Sequence, residues 1–274
     1  MGVLMDAIKL DKNSLVAHRG LQAHYPENTL LSLSKAIEVG AKYIELDVQF
    51  SADHLPIIYH DMDLQRVSNR SAQIKHIDRE TLLTYQAFEP QRFGDLYIAE
   101  QIAPLEALVK LLHANPQVTA FVELKEESIP HCGRQIMIQS AQSILNTVAK
   151  RAVIISDDYQ LVNYARSIGW PQVGIVLRQY ADIDNPLVIE AMPDYIFIEE
   201  QFLTEILGPI VAPNSAKLVV YEVDNPEVGK QLLRRGIDML ETFVIDQLMS
   251  KKQQLSKEIE DKTISIALNE SSAS

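Results

Sequence analysis

Eight short apolar runs, rich in β-branched residues and mostly separated by helical patterns, constrain this chain more than any other feature. They fall near Leu15–His18, Tyr43–Val48, Ala120–Leu124, Ala152–Ser156, Gln172–Leu177, Tyr195–Ile198, Leu218–Val223 and Asp238–Glu241. Each is long enough for a strand and too short for a buried helix. Between them, apolar residues at helical spacing predict helices over Thr29–Val39, Leu105–Ala114, Arg134–Lys150, Tyr159–Ile168, Pro186–Ala191 and Pro226–Arg235. The Asn28/Thr29 pair offers an N-cap, and Gly40, Gly169 and Gly236 stand where a helix C-terminal glycine belongs. Strands alternating with helices imply a parallel sheet with right-handed crossovers. Eight of them in 274 residues fit a closed TIM (β/α)8 barrel, whose usual size is ~250 residues. A doubly wound open sheet is the alternative, but the first strand-to-helix turn carries no Gly-rich dinucleotide fingerprint.

The alternation breaks after the second strand. Val48–Phe50 and Pro56–Tyr59 are both strand-like, yet only Ser51–Leu55 separates them, too few residues for a crossover helix. An antiparallel hairpin excursion that carries His60 back towards the second strand is expected there. Residues 61–103 have no clean βαβ pattern and are expected to form a small inserted subdomain, within one barrel domain spanning 1–274.

The formal net charge of −12 disfavours bulk binding to nucleic acid or to an anionic membrane, both of which need a basic surface. No uninterrupted apolar run approaches the ~20 residues of a membrane helix. The first dozen residues show no secretory signal pattern, and the single cysteine, Cys132, excludes an intrachain disulfide framework. A cytoplasmic protein without stable membrane association is expected. No surface patch legible in the sequence speaks to oligomeric state.

Chemistry-bearing residues gather at strand ends. His18-Arg19-Gly20 closes the first strand, Glu45 and Asp47 lie on the second, His60-Asp61 ends the hairpin, and Glu123-Leu124-Lys125 ends the next barrel strand. Glu45 and Asp47, one residue apart on a strand, share a face, which in a barrel looks inward. Two buried, unpaired carboxylates are costly, and either a cation or a salt bridge to nearby Arg or Lys resolves that cost. Glu123 and Lys125 repeat the geometry. Three carboxylates suit Mg²⁺ or Ca²⁺, and no Cys/His cluster stands at zinc spacing. Imidazoles move protons near neutral pH, and Arg19 and Lys125 can grip an anion. Together these are the parts of a metal-assisted phosphoryl site.

The ordered set resembles the glycerophosphodiester phosphodiesterase family. The resemblance rests on His18-Arg19-Gly20, Pro26-Glu27-Asn28-Thr29, Glu45-Leu46-Asp47, His60-Asp61 with Leu64 and Arg66, and Glu123-Leu124-Lys125. It implies a TIM barrel that hydrolyses glycerophosphodiesters to sn-glycerol 3-phosphate and an alcohol with a divalent metal, Mg²⁺ or Ca²⁺. By position it implies acid/base roles for His18 and His60, metal ligation by Glu45, Asp47 and Glu123, and phosphate contacts from Arg19 and Lys125. The later strands depart from the family pattern. Where the family often has Trp-Thr-Val-Asn, this chain has Tyr221-Glu222-Val223-Asp224, keeping an aromatic wall in Tyr221 and adding a carboxylate. Where it favours Ser-Phe, Ser156-Asp157 stands; its closing Thr-Asp is replaced by Thr242-Phe243, and its hairpin glycine by His54. The rivals are a phospholipase-type barrel acting on another phosphodiester and a non-catalytic glycerophosphodiester binder.

Overall fold

The computed structural model describes residues 10–249, apart from 205 and 207. Ten strands form one sheet: β1 (Leu15–Ala17), β2 (Tyr43–Phe50), β3 (Pro56–Ile58), β4 (Ala103–Pro104), β5 (Thr119–Leu124), β6 (Ala152–Ser156), β7 (Val173–Val176), β8 (Tyr195–Glu199), β9 (Lys217–Tyr221) and β10 (Met239–Thr242). All but β3 and β4 are parallel, and they run β1-β2-β5-β6-β7-β8-β9-β10 and back to β1. Val16 pairs with Tyr43 on one side, and β1 pairs with β10 through Leu15 and Leu240 on the other, so the sheet closes into an eight-stranded barrel. The TIM barrel expected from the strand count is present.

Crossover helices Leu30–Glu38, Glu106–Ala114, Arg134–Leu145, Tyr159–Ser167, Pro186–Ala191 and Pro226–Arg234 occupy the six intervals with helical periodicity. The Thr29 hydroxyl accepts the Ser32 N–H at 3.1 Å, as an N-cap should. The third helix stops at Leu145 rather than Lys150, and a 3₁₀ turn, Asn146–Arg151, takes over. Asn146, Thr147 and Val148 are weak helix formers, which accounts for the shorter α-helix. Between β8 and β9, the described residues form 3₁₀ turns at Glu200–Leu203 and Pro213–Ser215 and no α-helix.

Alternation along the strands sorts two cores. Ile44, Leu46, Val48, Val122, Leu124 and Val220 face outward under the helices. Val16, Phe121, Val153, Tyr195, Phe197, Val219 and Met239 face inward and fill the barrel. Phe121 meets Tyr195 and Phe197 edge-on, with centroids 4.8 and 5.1 Å apart. One layer further towards the C-terminal ends of the strands the same inward positions turn polar. That is where barrel enzymes place their sites.

β3 returns antiparallel on β2, with Val48 opposite Ile58, and β4 continues the excursion. Its turn puts His54 at φ +60°, where a glycine would be unstrained. Residues 61–103 fold over short helices, including Gln65–Ser68 and Arg79–Leu82. They share a satellite core built on Tyr59, Leu64, Val67, Ile74, Leu82 and Ile102. Among the described residues no helix is long and apolar enough to cross a membrane.

Candidate active site

β1 ends in a turn that only glycine tolerates. Gly20 sits at φ +86°, and a Cβ there would lie 2.5 Å from Ser32 Oγ and 2.6 Å from the Ser32 carbonyl carbon. Arg19 before it is also left-handed, at φ +53°. The turn throws the His18 and Arg19 side chains over the barrel mouth. His18 is anchored by its own N–H, which donates to the Thr242 carbonyl at 3.0 Å, and its ring stacks on Phe243 at 4.5 Å. Its Nε2 lies 3.8 Å from Glu45 Oε2, and its buried Nδ1 has no hydrogen-bond partner. Burial, and then the neighbouring Arg19 charge, hold its pKa well below the ordinary histidine value.

Glu45 and Asp47 point inward from β2, each 1% exposed. Asn28, at φ +56°, clamps Asp47 twice: its amide donates to Asp47 Oδ2 at 2.8 Å, and its side-chain oxygen accepts the Asp47 N–H at 3.0 Å. Arg19 Nε stands 3.1 Å from the same Oδ2, and the Arg19 N–H donates to Glu45 Oε2 at 3.1 Å. Lys125 Nζ donates to Glu123 Oε1 at 2.9 Å and lies 3.7 Å from Asp47 Oδ1. The salt-bridge alternative therefore holds for Asp47 and Glu123, whereas the Arg19 contact to Glu45 comes from a backbone N–H. Glu45 Oε1 and Asp47 Oδ1 remain buried without a hydrogen bond.

Those two orphaned oxygens answer whether the residues fit a cation. Ligand atoms of Glu45, Asp47 and Glu123 lie within 4.8 Å of one another, an all-oxygen set suited to a hard divalent ion. Glu241 on β10 adds a fourth carboxylate, grouped with His18 and Glu45 within the same distance, and its Oε1 is also unpartnered. Four carboxylates thus face the cations Arg19 and Lys125. Burial first, and then the neighbouring carboxylates, push Glu45 and Glu241 well above the usual carboxylate range. Asp47 goes the other way: burial opposes its charge, but Arg19, His60 and Lys125 hold its pKa down. The opposed directions on one strand mark a cluster short of positive charge.

The hairpin delivers His60. The Tyr59 N–H donates to the Asp47 carbonyl at 3.0 Å, and Gln49 Nε2 donates to the His60 carbonyl at 2.8 Å. His60 Nδ1 meets Asp61 Oδ1 at 2.6 Å, and Arg66 grips both Asp61 oxygens at 2.8 and 2.9 Å. Arg66 also forks onto buried Glu27 at 2.6 and 2.7 Å, and Glu27 reaches Arg19 at 3.3 Å. A continuous ionic chain, Arg19–Glu27–Arg66–Asp61–His60, therefore ties the two sides of the mouth together. Burial opposes the charge of Asp61, and its bonds to His60 and Arg66 keep it ionised far into acid.

His18, Arg19, His60, Glu123, Lys125 and Tyr221 line one cavity of about 370 Å³. Glu45 and Asp47 lie buried beside these residues. Sequence reasoning gives no role to Glu27 or Glu241. Glu241 was findable, since Met239 and Glu241 alternate on one strand and a core-facing methionine implies a core-facing glutamate.

Comparisons with known proteins agree with this geometry. The model of the glycerophosphoryl diester phosphodiesterase family matches residues 18–246. A glycerophosphodiester phosphodiesterase from Caldanaerobacter subterraneus subsp. tengcongensis is 25% identical over 230 residues, covering 83% of this chain and 92% of the relative. Among solved structures, an Oleispira antarctica phosphodiesterase in complex with the product sn-glycerol-3-phosphate aligns with a TM-score of 0.71 at 20% identity. That alignment covers 86% of this chain and 94% of the other. A glycerophosphodiester phosphodiesterase from Parabacteroides distasonis aligns with a TM-score of 0.69 at 20% identity, over 90% and 99% of the two chains. At these identities the structures speak for the fold, while the family match spans nearly the whole barrel with its polar mouth. The chain belongs to the glycerophosphoryl diester phosphodiesterase family.

Proposed function

We propose that the chain hydrolyses glycerophosphodiesters to sn-glycerol 3-phosphate and an alcohol, using a divalent cation and two histidines. One observation carries this reading. His18 and His60 open onto the same cavity as Arg19 and Lys125, beside three carboxylates within 4.8 Å of one another. A pure binding pocket has no need of paired imidazoles.

Glu45, Asp47 and Glu123 would hold Mg²⁺ or Ca²⁺, and the bound cation would neutralise charge on a phosphoryl oxygen. Arg19, whose charge burial opposes but Asp47, Glu27 and Glu45 secure, grips a second phosphoryl oxygen with Lys125. Asp61 accepts from His60 Nδ1, which leaves Nε2 of that ring for the cavity. One imidazole takes a proton from the attacking hydroxyl, and the other returns one to the leaving alkoxide. Tyr221 walls the substrate on the β9 side. His18→Ala and His60→Ala are each expected to lower kcat ~10²–10⁴-fold with an unchanged circular dichroism spectrum. A folded variant with full activity would remove that histidine from the reaction.

A further inference from the structure

The cavity is electrically divided. Its β1, β2 and β5 side carries Arg19 and Lys125, the cations a phosphodiester needs. Its far wall, from the C-terminal ends of β6 to β9, carries Asp157, Glu199 and Glu222, with Glu126 reaching in beside them. Arg178 is the cation among these lining residues, and it is already engaged: it pairs with Glu126 and donates to the Asp157 carbonyl at 3.1 Å. Two aromatic faces, Tyr221 and Phe202, stand in the same wall. At its base Glu241, 3% exposed, also lines the cavity, and one of its carboxylate oxygens has no hydrogen-bond partner.

Glycerol is common to every glycerophosphodiester and is neutral, so the charge of this wall can discriminate only the other alcohol. A neutral alcohol gains hydrogen bonds there. An alkylammonium gains those, or aromatic faces, together with attraction to several carboxylates at once. Glu222 and Asp157 also stand where the family pattern favours threonine and phenylalanine, so the shared hydrolysis does not call for either. Glu222 is half-exposed at the mouth, its Oε1 3.9 Å from His18 Nδ1, within reach of a group leaving the phosphorus.

We propose that the alcohol this site releases is an amino alcohol, its primary or quaternary ammonium held by Glu222, Glu199 and Asp157 against Tyr221 and Phe202. The inference rests on the hydrolytic function proposed above and names its substrate class. The experiment compares kcat/KM for glycerophosphoethanolamine and glycerophosphocholine with that for glycerophosphoglycerol and glycerophosphoinositol, in wild type and Glu222→Gln. Wild type should favour the cationic pair by about tenfold or more at low salt, and the preference should shrink as salt screens the wall. Glu222→Gln should cut that ratio several-fold, the ratio cancelling any change in turnover common to all four substrates that follows from its closeness to His18. Ethanolamine ahead of choline would assign the carboxylates the larger part, and the reverse order the aromatic faces. A ratio near one, or a ratio indifferent to Glu222→Gln, overturns the proposal. Silence on all four substrates would instead overturn the hydrolytic reading. Calorimetric binding of glycerophosphocholine against glycerophosphoglycerol, in the same two proteins, would then decide the preference.

Discussion

Glu27→Ala removes the hinge of the ionic chain that joins the two sides of the mouth. Glu27 is 1% exposed at its side chain and takes both Arg66 nitrogens at 2.6 and 2.7 Å, Gln22 Nε2 at 3.0 Å and Arg19 at 3.3 Å. Breaking a buried ion pair by deleting one partner costs ~3–5 kcal/mol. Arg66 is 40% exposed at its side chain and can turn to water, whereas Arg19, 14% exposed, keeps Asp47. The low end, about 3 kcal/mol, is therefore expected. With an unfolding entropy of ~2.1 cal/mol/K per residue, 274 residues give about 0.6 kcal/mol/K, and the loss becomes about 5 °C in Tm. Thermal unfolding followed by circular dichroism in EDTA measures it without cation linkage. Acid supplies a second check. Burial opposes the charge of Glu27, but Arg66 and Arg19 lower its pKa below the usual 4.5. Its contribution is present above the unfolded pKa and is lost as pH falls through the folded one, so wild type and variant should converge below pH 4.5. A Tm difference under about 1 °C at pH 7, or one that widens in acid, would refute the reasoning.

Three further outcomes are expected. Gly20→Ala should cost about 2 kcal/mol or more and depress kcat, because the added Cβ meets Ser32 backbone and the φ is left-handed; equilibrium urea unfolding reads the first part. His54→Gly should raise stability by about 0.5–1 kcal/mol, relieving φ +60° against a smaller entropic loss, and an unchanged urea midpoint would contradict it. Glu45 and Glu241, raised by burial and by neighbouring carboxylates, stabilise the cation-free fold when protonated. That contribution is full below pH 4.5 and is lost as pH rises through their folded values, so Ca²⁺ or Mg²⁺ titrated at a series of pH values above 4.5 should release protons at the lower end of the series. Calorimetry in two buffers of different ionisation enthalpy detects the release, and identical heats would speak against it.

Local rules carried most of the barrel. Eight apolar runs, a threonine cap and C-terminal glycines each follow from short-range physics, and all are found in place. Only five residues separate the two strand-like pieces after Asp47, which was enough to foresee the hairpin that brings His60 home. The carboxylate face of β2 was legible because strand period two admits no other arrangement. What stayed hidden depends on distance in space. Glu27 and Arg66 are 39 residues apart in sequence, and nothing local says that their side chains meet. The same holds for the clamp of Asn28 on Asp47, which spans 19 residues and needs a left-handed Asn28 to aim it. Glu241 shares the inward face of β10 with Met239, but strand period two alone does not say that it meets Glu45 across the barrel.

Release of sn-glycerol 3-phosphate from glycerophosphocholine by the purified protein tests the proposed reaction and its site together. It is run in EDTA, then with Mg²⁺ or Ca²⁺ restored, with Glu45→Ala alongside. Product that requires the cation and disappears in Glu45→Ala is the predicted result. Product formed equally in EDTA, or undiminished in a folded Glu45→Ala protein, would contradict a cation held by Glu45, Asp47 and Glu123.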